Sequence, residues 1–154
     1  MASYSTILVG TDGSQSSFRA VERAAKVAAD SGGALLIASA YTQMSDREQR
    51  QAADALGEEA YKVVGSHPAD DILREAADIA KKAGAKNVDT VCQAGDPVDV
   101  LVDVIGKRDV ELCVVGNRGL NSLAGRLLGS VPANISHRAS CDVLIVHTTS
   151  GRGR

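Results

Sequence analysis

The sequence has no large surplus of charge and no long apolar run. Its formal net charge is -2, and its lysines and arginines are scattered along the chain. Surfaces that bind nucleic acid usually need a concentrated basic face, so neither DNA nor RNA is expected as a partner. No stretch reaches the roughly 18 apolar residues of a membrane span, and no basic segment followed by an apolar one marks a secretory signal. We therefore expect no membrane partner and a cytoplasmic location.

Cysteine is scarce and unpaired in the sequence. The three cysteines, Cys92, Cys113 and Cys141, are odd in number and form no Cys-x-x-Cys motif. Each lies within a short apolar run that is typical of a buried strand. We expect three reduced thiols in the core of a cytosolic protein.

The motifs of the common nucleotide enzymes are also missing. There is no Gly-Lys-Ser/Thr triplet of a Walker loop and no Gly-x-Gly-x-x-Gly after the first apolar run, which argues against a P-loop nucleotidase and a nicotinamide enzyme. The histidines His67, His137 and His147 do not have the spacing of a metal-binding face. The acidic pairs Glu58-Glu59 and Asp70-Asp71 diverge on a helix, and no nucleophile has an identifiable base. We predict no catalytic residue and no metal site made of protein ligands.

Strand-length apolar runs alternate with helical periodicities along the whole chain. This alternation is typical of a parallel sheet covered by helices on both faces. It predicts an α/β fold, a three-layer doubly wound domain around five parallel strands. The predicted strands are Thr6–Val9, Ala34–Tyr41, Val88–Cys92, Glu111–Val115 and Asp142–His147.

The predicted helices lie between these strands. One has its buried face marked by Phe18 and Ala28, a second runs from Ala69 to Ala83, a third is capped by Asp96, starts at Pro97 and is closed by Gly106, and a short one spans Val131 to Arg138. The segment Thr42 to Pro68 is predicted as an exposed helical excursion, because Gly57 and a charged flank weaken its pattern. Residues 1–148 are expected to form one domain, and residues 149–154 a flexible tail.

The segment that follows the fourth predicted strand is rich in glycine. Gly116, Gly119 and Gly129 would let backbone N–H groups approach an anion, and Ser130 can cap the last helix and turn its hydroxyl toward that anion. Arg118, flanked by glycines, is a candidate partner for phosphate. The same residues can also simply end a strand, cap a helix and carry surface charge. Four such features in fifteen residues, at the carboxyl end of a strand, favour a nucleotide-phosphate loop.

A second polar segment, Gly10-Thr11-Asp12-Gly13-Ser14, follows the first predicted strand. In an open α/β sheet, ligands bind beyond the carboxyl ends of the strands, where the strand order reverses. An ionised Asp12 only accepts hydrogen bonds, which suits the two hydroxyls of a ribose. Asp12 can equally be a helix cap, and Ser14 serves as well in that role. From these residues alone, the ribose and cap interpretations of Asp12 are about even.

The spacing Gly116-x2-Gly119-x9-Gly129-Ser130, the segment Thr11-Asp12-Gly13-Ser14 and the ending Cys141-Asp142-Val143-Leu144-Ile145-Val146 together resemble the universal stress protein family of the ATP-binding type. The resemblance covers essentially the whole chain. It implies an adenine nucleotide alpha hydrolase-like sheet with strand order 3-2-1-4-5. It also implies an adenine nucleotide at the carboxyl ends of strands one and four, and a homodimer formed through the last strand, Asp142 to His147.

The resemblance further implies which residues bind the nucleotide. The residues that would contact adenine and ribose are Gly10, Thr11, Asp12 and the backbone of Ala40, and Gly95 would form a turn near the site. The phosphate-binding residues are Val115, Gly116, Arg118, Gly119, Gly129, Ser130 and Val131.

The function expected from the resemblance is a non-catalytic sensor or buffer of adenine nucleotides in stress signalling. ATP, with Mg²⁺ as its companion, is the first ligand expected in the crevice between strands one and four, and cyclic AMP is the alternative within the same family. An alternative of another class is a slow ATPase or self-phosphorylating enzyme using Ser130 or Ser122. A flavin or electron-transfer module is suggested by fold analogy alone.

Overall fold

A computed structural model describes residues 4–41, 68–117 and 130–148. Within these ranges the elements are β1 (Thr6–Gly10), α1 (Gln15–Ser31), β2 (Ala34–Tyr41), α2 (Pro68–Lys82), β3 (Val88–Ala94), α3 (Pro97–Lys107), β4 (Leu112–Gly116), α4 (Ser130–Arg138) and β5 (Asp142–Val146). The predicted excursion Thr42 to Pro68 lies outside the described residues except for Pro68, and so do the loop residues 118–129 and the tail 149–154.

The five strands form one parallel sheet in the order β3-β2-β1-β4-β5. This confirms the predicted fold class and strand order. β1 lies in the middle, where Val9 is aligned with Ile37 of β2 on one side and with Val114 of β4 on the other. After β1 the chain adds β2 and β3 on one side of the sheet, and then β4 and β5 on the other side. The strand order therefore reverses between β1 and β4.

Alternate residues of the central strands face two separate hydrophobic cores, one on each side of the sheet. On one side, Val9 and Val114 pack with α1 and α2; on the other, Leu8 and Cys113 pack with α3 and α4. Both faces are therefore covered, which explains why these strands are continuously apolar rather than alternating. Alanines at positions 20, 24, 25 and 28 of α1 are buried and let that helix lie close to the sheet.

The boundaries of several elements differ from the prediction. The predicted helix Ala69–Ala83 begins one residue earlier and ends at Lys82, the last helix begins at Ser130 rather than Val131, and β5 ends at Val146, before His147. β1 and β3 extend to Gly10 and Ala94, and β4 runs from Leu112 to Gly116 rather than from Glu111 to Val115. Shifts of one or two residues are expected, since helix ends and strand ends have weak sequence signals.

The sequence pattern predicted that Gly106 ends α3, and this prediction is wrong. The helix continues to Lys107, and the left-handed residue that follows is Asp109, with a φ of 51°. Aspartate tolerates this conformation better than most residues. The N–H of Val110 then donates to the carbonyl of Ile105 at 3.2 Å, and the Val110 side chain is buried. The burial of Val110 therefore decides where the helix ends.

The cysteines are less uniform than predicted. Cys113 is fully buried in β4, but Cys92 on the edge strand β3 and Cys141 just before β5 are only partly buried. Burial raises the pKa of the Cys113 thiol to about 12. The prediction of a core thiol is thus confirmed for Cys113. It holds only in part for Cys92 and Cys141, which pack against the two cores but lie toward the margins of the sheet.

Candidate functional site

An open crevice lies at the carboxyl ends of β1 and β4, the point where the strand order reverses. Ligands of doubly wound sheets bind at this position. The crevice is lined by Gly10, Thr11, Asp12, Ser17, Ala38, Ala40, Pro97, Val100, Leu101, Val115, Gly116, Val131 and Pro132. It therefore draws residues from three strands, from the loop after β1 and from the first two turns of three helices.

The β1 side of the crevice is rich in hydrogen-bond acceptors. Thr11 is buried, and its N–H donates to the carbonyl of Ala38 at 2.9 Å, which prolongs the pairing of β1 with β2. The Ser17 hydroxyl donates to the carbonyl of Ser14, so in the 2.8 Å contact between the two hydroxyls Thr11 donates to Ser17. Both hydroxyl protons are thus used within the protein. What remains toward a ligand is oxygen lone pairs.

The helix cap beside this side is Ser14, not Asp12. The Ser14 side chain accepts a hydrogen bond from the N–H of Ser17, as a residue preceding a helix commonly does. Asp12 instead accepts the N–H of Ser14 through Oδ1 at 2.9 Å, in a local turn, and lines the crevice. The cap interpretation of Asp12 is therefore wrong. Its carboxylate is exposed, and within the described residues Oδ2 makes no hydrogen bond.

The wall of the crevice on the α3 side is apolar. Small residues of β2, Ala38 and Ala40, lie opposite Val100 and Leu101 of α3. The approach is close: a Cβ added to Gly10 would lie 3.3 Å from Cδ2 of Leu101. Asp96 caps α3 by accepting the N–H of Val98 at 3.1 Å, which fixes the helix start beside the crevice. A narrow apolar slot of this kind suits a flat ring system.

The β4 side of the crevice faces the first turn of α4. Val131 and Pro132 line the crevice there, and the first turn of α4 carries no acidic residue. The N–H groups at a helix start have no partner within the helix and carry the positive end of the helix dipole. This side therefore carries the positive end of a helix dipole and favours negative charge, opposite to the β1 side.

Gly116 lines the crevice, and the structure gives a second reason for its missing side chain. We expected it to let backbone approach a phosphate. A Cβ at Gly116 would lie 3.1 Å from Cγ2 of Thr148, the second residue after β5. The space is thus occupied by another part of the protein.

The structure brings together seven of the predicted site residues: Gly10, Thr11, Asp12, Ala40, Val115, Gly116 and Val131. Gly95 does not line the crevice. It has a φ of 137°, its N–H donates to the carbonyl of Tyr41, and a Cβ there would lie 3.3 Å from Val100. Arg118, Gly119 and Gly129 lie outside the described residues, and Ser130 is the first residue of α4.

Sequence reasoning missed six residues that line the crevice: Ser17, Ala38, Pro97, Val100, Leu101 and Pro132. Those of α3 had a signal, because Pro97, Val100 and Leu101 fall on one helical face at the start of a helix that follows a strand. From the sequence, only the cap and the two ends of this helix were predicted, and no ligand contact. Ser17 had a weaker signal, its position three residues after the helix cap.

In residues 4–41, 68–117 and 130–148, no group of three histidine, cysteine, aspartate or glutamate side chains is placed to hold a metal ion. None of the helices in those same ranges is long and apolar enough to cross a membrane.

The sheet order and the crevice at its switch point define the class of protein: a doubly wound α/β domain with a crevice where folds of this class bind ligands. The chain belongs to the universal stress protein family, whose family model matches residues 3–147. The universal stress protein Rv1636 of Mycobacterium tuberculosis is 54% identical over 149 residues, which cover 97% of this chain and all of that protein.

Two solved structures extend the similarity to three dimensions. A universal stress protein crystallised in complex with cAMP is 46% identical, with a TM-score of 0.73 and coverage of 95% of this chain and 98% of that one. The crystal structure of Rv1636 from M. tuberculosis H37Rv is 47% identical, with a TM-score of 0.60 and coverage of 97% and 99%. The family resemblance inferred from the glycine spacing is thereby confirmed.

Proposed function

We propose that this chain binds an adenine nucleotide in the crevice between β1 and β4 and acts as a non-catalytic nucleotide sensor or buffer. The observation that carries the proposal is the opposite polarity of the two sides of the crevice. The β1 side presents the Asp12 carboxylate and hydroxyl lone pairs, and the β4 side presents the first turn of α4. A nucleotide has the complementary polarity, because its ribose hydroxyls donate and its phosphate accepts.

This polarity sets the orientation of the proposed ligand. The ribose lies at Asp12, where a charged acceptor meets hydroxyl donors. The base lies in the slot between Ala40 and Leu101, both of which line the crevice. The phosphate lies toward Gly116 and the start of α4, where a negative charge is stabilised by the helix dipole.

Cyclic AMP is the ligand that the comparisons favour, since the relative crystallised with cAMP is 46% identical over 95% of this chain. ATP, with Mg²⁺ as companion, is the second ligand to test. The glycine spacing supports it through the family resemblance only. Both nucleotides share the adenine, the ribose 2′-hydroxyl and a phosphate, so the crevice polarity supports either of them.

Isothermal titration calorimetry with cAMP, ATP, AMP, adenosine and GTP tests this proposal. We expect cAMP or ATP to bind with a dissociation constant well below 1 mM and GTP to bind more weakly. If no adenine nucleotide binds tighter than about 1 mM, near -4 kcal/mol, the proposed function is wrong. Phosphate release measured in the same samples decides the non-catalytic assignment. Steady hydrolysis of ATP that is abolished by Ser130→Ala would favour the enzyme alternative.

We further propose a cytoplasmic homodimer that pairs through the last strand, Asp142 to His147. The supporting observation is that β5 lies at an edge of the sheet, with Val143, Leu144 and Ile145 only partly buried. Exposed strand edges readily pair with a second chain. Multi-angle light scattering of the wild type and of Ile145→Lys tests this. A dimeric wild type and a monomeric, folded variant are expected, whereas a monomeric wild type would contradict the proposal.

A further inference from the structure

Thr148, the second residue after β5, is buried with only 2% of its surface exposed. A polar residue beyond the end of an edge strand has no need to be buried. Each polar group of Thr148 has a hydrogen-bond partner within the protein. Its N–H and its hydroxyl both donate to Oδ1 of Asn117, at 2.9 and 3.0 Å, and its carbonyl accepts from Nη1 of Arg19 at 2.8 Å.

The hydroxyl of Thr148 is also an acceptor. Because its own proton goes to Asn117, the contact between its Oγ1 and the Ser16 hydroxyl is a donation from Ser16. Thr148 thereby joins the first two turns of α1, through Ser16 and Arg19, to the residue that follows β4. Buried polar groups that are all paired hold one geometry firmly, because breaking any one of them leaves a group without a partner.

Hydrogen bonds to both its side chain and its backbone fix the position of Asn117. Its side chain accepts both hydrogen bonds from Thr148, and its N–H donates to the carbonyl of Val146 at 2.8 Å. Gly116, which lines the crevice, is pressed against the same threonine: a Cβ on Gly116 would lie 3.1 Å from Cγ2 of Thr148. The end of β4 is thus fixed by hydrogen bonds through Asn117 and by packing through Gly116.

We propose that Thr148 is a positioning residue for the phosphate side of the crevice. Through Asn117 and Gly116 it holds the end of β4 in place on the phosphate side of the crevice. This inference rests on the proposed function, since it concerns the phosphate of the same nucleotide. It assigns a ligand-related role to a residue that does not line the crevice and acts through Gly116 and Asn117.

The variant Thr148→Val tests the inference, because valine keeps the methyl group that packs on Gly116 but loses the hydroxyl that binds Asn117 and Ser16. We expect its affinity for cAMP and AMP to fall about tenfold while its affinity for adenosine stays within about twofold of the wild type. Thr148→Ser keeps the hydroxyl and is expected to retain most of the nucleotide affinity. The matched control is Thr90→Val, on the exposed face of β3.

A purely structural role for Thr148 predicts a different result. Affinity for adenosine and for nucleotides would then fall by the same factor, or neither would change, and each of these results would overturn the inference.

If Thr148→Val does not fold, as judged by circular dichroism, Ser16→Ala provides the second test, because it removes one partner of Thr148 and leaves Asn117 in place. Ser16→Ala is expected to lower nucleotide affinity by a smaller factor, again without a change in affinity for adenosine. A wild type that binds no adenine nucleotide would instead contradict the proposed function.

Discussion

Gly10 at the end of β1 lies directly against Leu101 of α3, and both residues line the crevice. A Cβ on Gly10 would lie 3.3 and 3.4 Å from the two terminal carbons of Leu101. The glycine therefore lets α3 approach the sheet and leaves the slot open for a flat ligand. This relationship explains why a residue without a side chain ends the first strand.

Gly10→Ala is expected to weaken nucleotide binding more than it weakens the fold. The added methyl pushes the Leu101 side chain by a few tenths of an ångström, and we expect that shift to be into the slot. An overpacked core site costs about 1 kcal/mol, and we expect adenine nucleotide affinity to fall roughly tenfold. Calorimetry and urea unfolding measure the two effects.

Gly106→Ala is the control, because a Cβ at Gly106 meets no atom within 4 Å. Alanine within α3 should raise the free energy of unfolding by about 0.5–1 kcal/mol without changing nucleotide affinity. Unchanged affinity in Gly10→Ala would mean that the ligand does not enter the slot between β1 and α3.

Asp12→Asn is expected to reduce affinity for ribonucleotides and to have little effect on their 2′-deoxy analogues. Asparagine keeps an Oδ1 that accepts the N–H of Ser14, so the turn after β1 is preserved. It loses the charge, and a hydrogen bond to a charged acceptor is stronger by about 1 kcal/mol than one to a neutral acceptor. A loss of about fivefold is expected for AMP in calorimetry, and a smaller one for 2′-deoxy-AMP.

Asp30→Asn is the matched control for the change in net charge, since Asp30 is exposed near the opposite end of α1. It should bind both nucleotides like the wild type. Equal losses for AMP and 2′-deoxy-AMP in Asp12→Asn would contradict the assignment of the ribose to Asp12.

The sequence was sufficient to predict the class of fold and the strand order, because the signal lies in long patterns. Strands such as β4 are continuously apolar, and α3 carries both a cap and a helical stripe. Contacts between distant segments had no such signal. Thr148 contacts residues 16, 19 and 117, and nothing in the spacing of these residues indicates that they meet.

The crevice lining was predicted where a residue type alone restricts the chemistry, as for Asp12, Gly10 and Gly116. It was missed where ordinary apolar residues act through their position, as Leu101 and Val100 do. Gly116 illustrates the limit most clearly. Its presence in the crevice was predicted, but the contact that explains its missing side chain involves Thr148, more than thirty residues later in the sequence.

The ion pair between Arg108 and Asp89 predicts a measurable titration effect. The hydrogen bond from the Arg108 guanidinium holds the pKa of the Asp89 carboxyl below its ordinary value, and the N–H of Thr90 contributes a smaller effect in the same direction. A lowered folded-state pKa stabilises the fold above the unfolded pKa, near 4, and this stabilisation is lost as the pH falls through the folded pKa. In Arg108→Met, the pKa of Asp89 should rise, as followed by carbon NMR of its carboxyl.

Because both partners are substantially exposed, the effect of Arg108→Met on stability at pH 7 should be below about 1 kcal/mol, and it should vanish as the pH falls below the folded-state pKa of Asp89. Lys107→Met is the control: it removes the neighbouring cation and should raise the pKa of Asp103, which Lys107 lowers, without moving that of Asp89. An Asp89 titration that is identical in wild type and Arg108→Met would show that the pair does not form in solution.

The three thiols should differ in reactivity, because their burial differs. Burial raises the pKa of Cys113 to about 12, so at pH 8 only about one thiol in ten thousand is ionised even if reagent could enter. Cys92 and Cys141 also have raised pKa values, chiefly through burial, but both are partly accessible.

Alkylation, detected by mass spectrometry, should modify Cys92 and Cys141 in the folded protein. Cys113 should react only through unfolding, with a rate that rises in urea as the free energy of unfolding falls. Modification of Cys113 as fast as Cys92 in the absence of urea would mean that β4 opens locally, and a crevice built on the end of β4 would then not be preorganised.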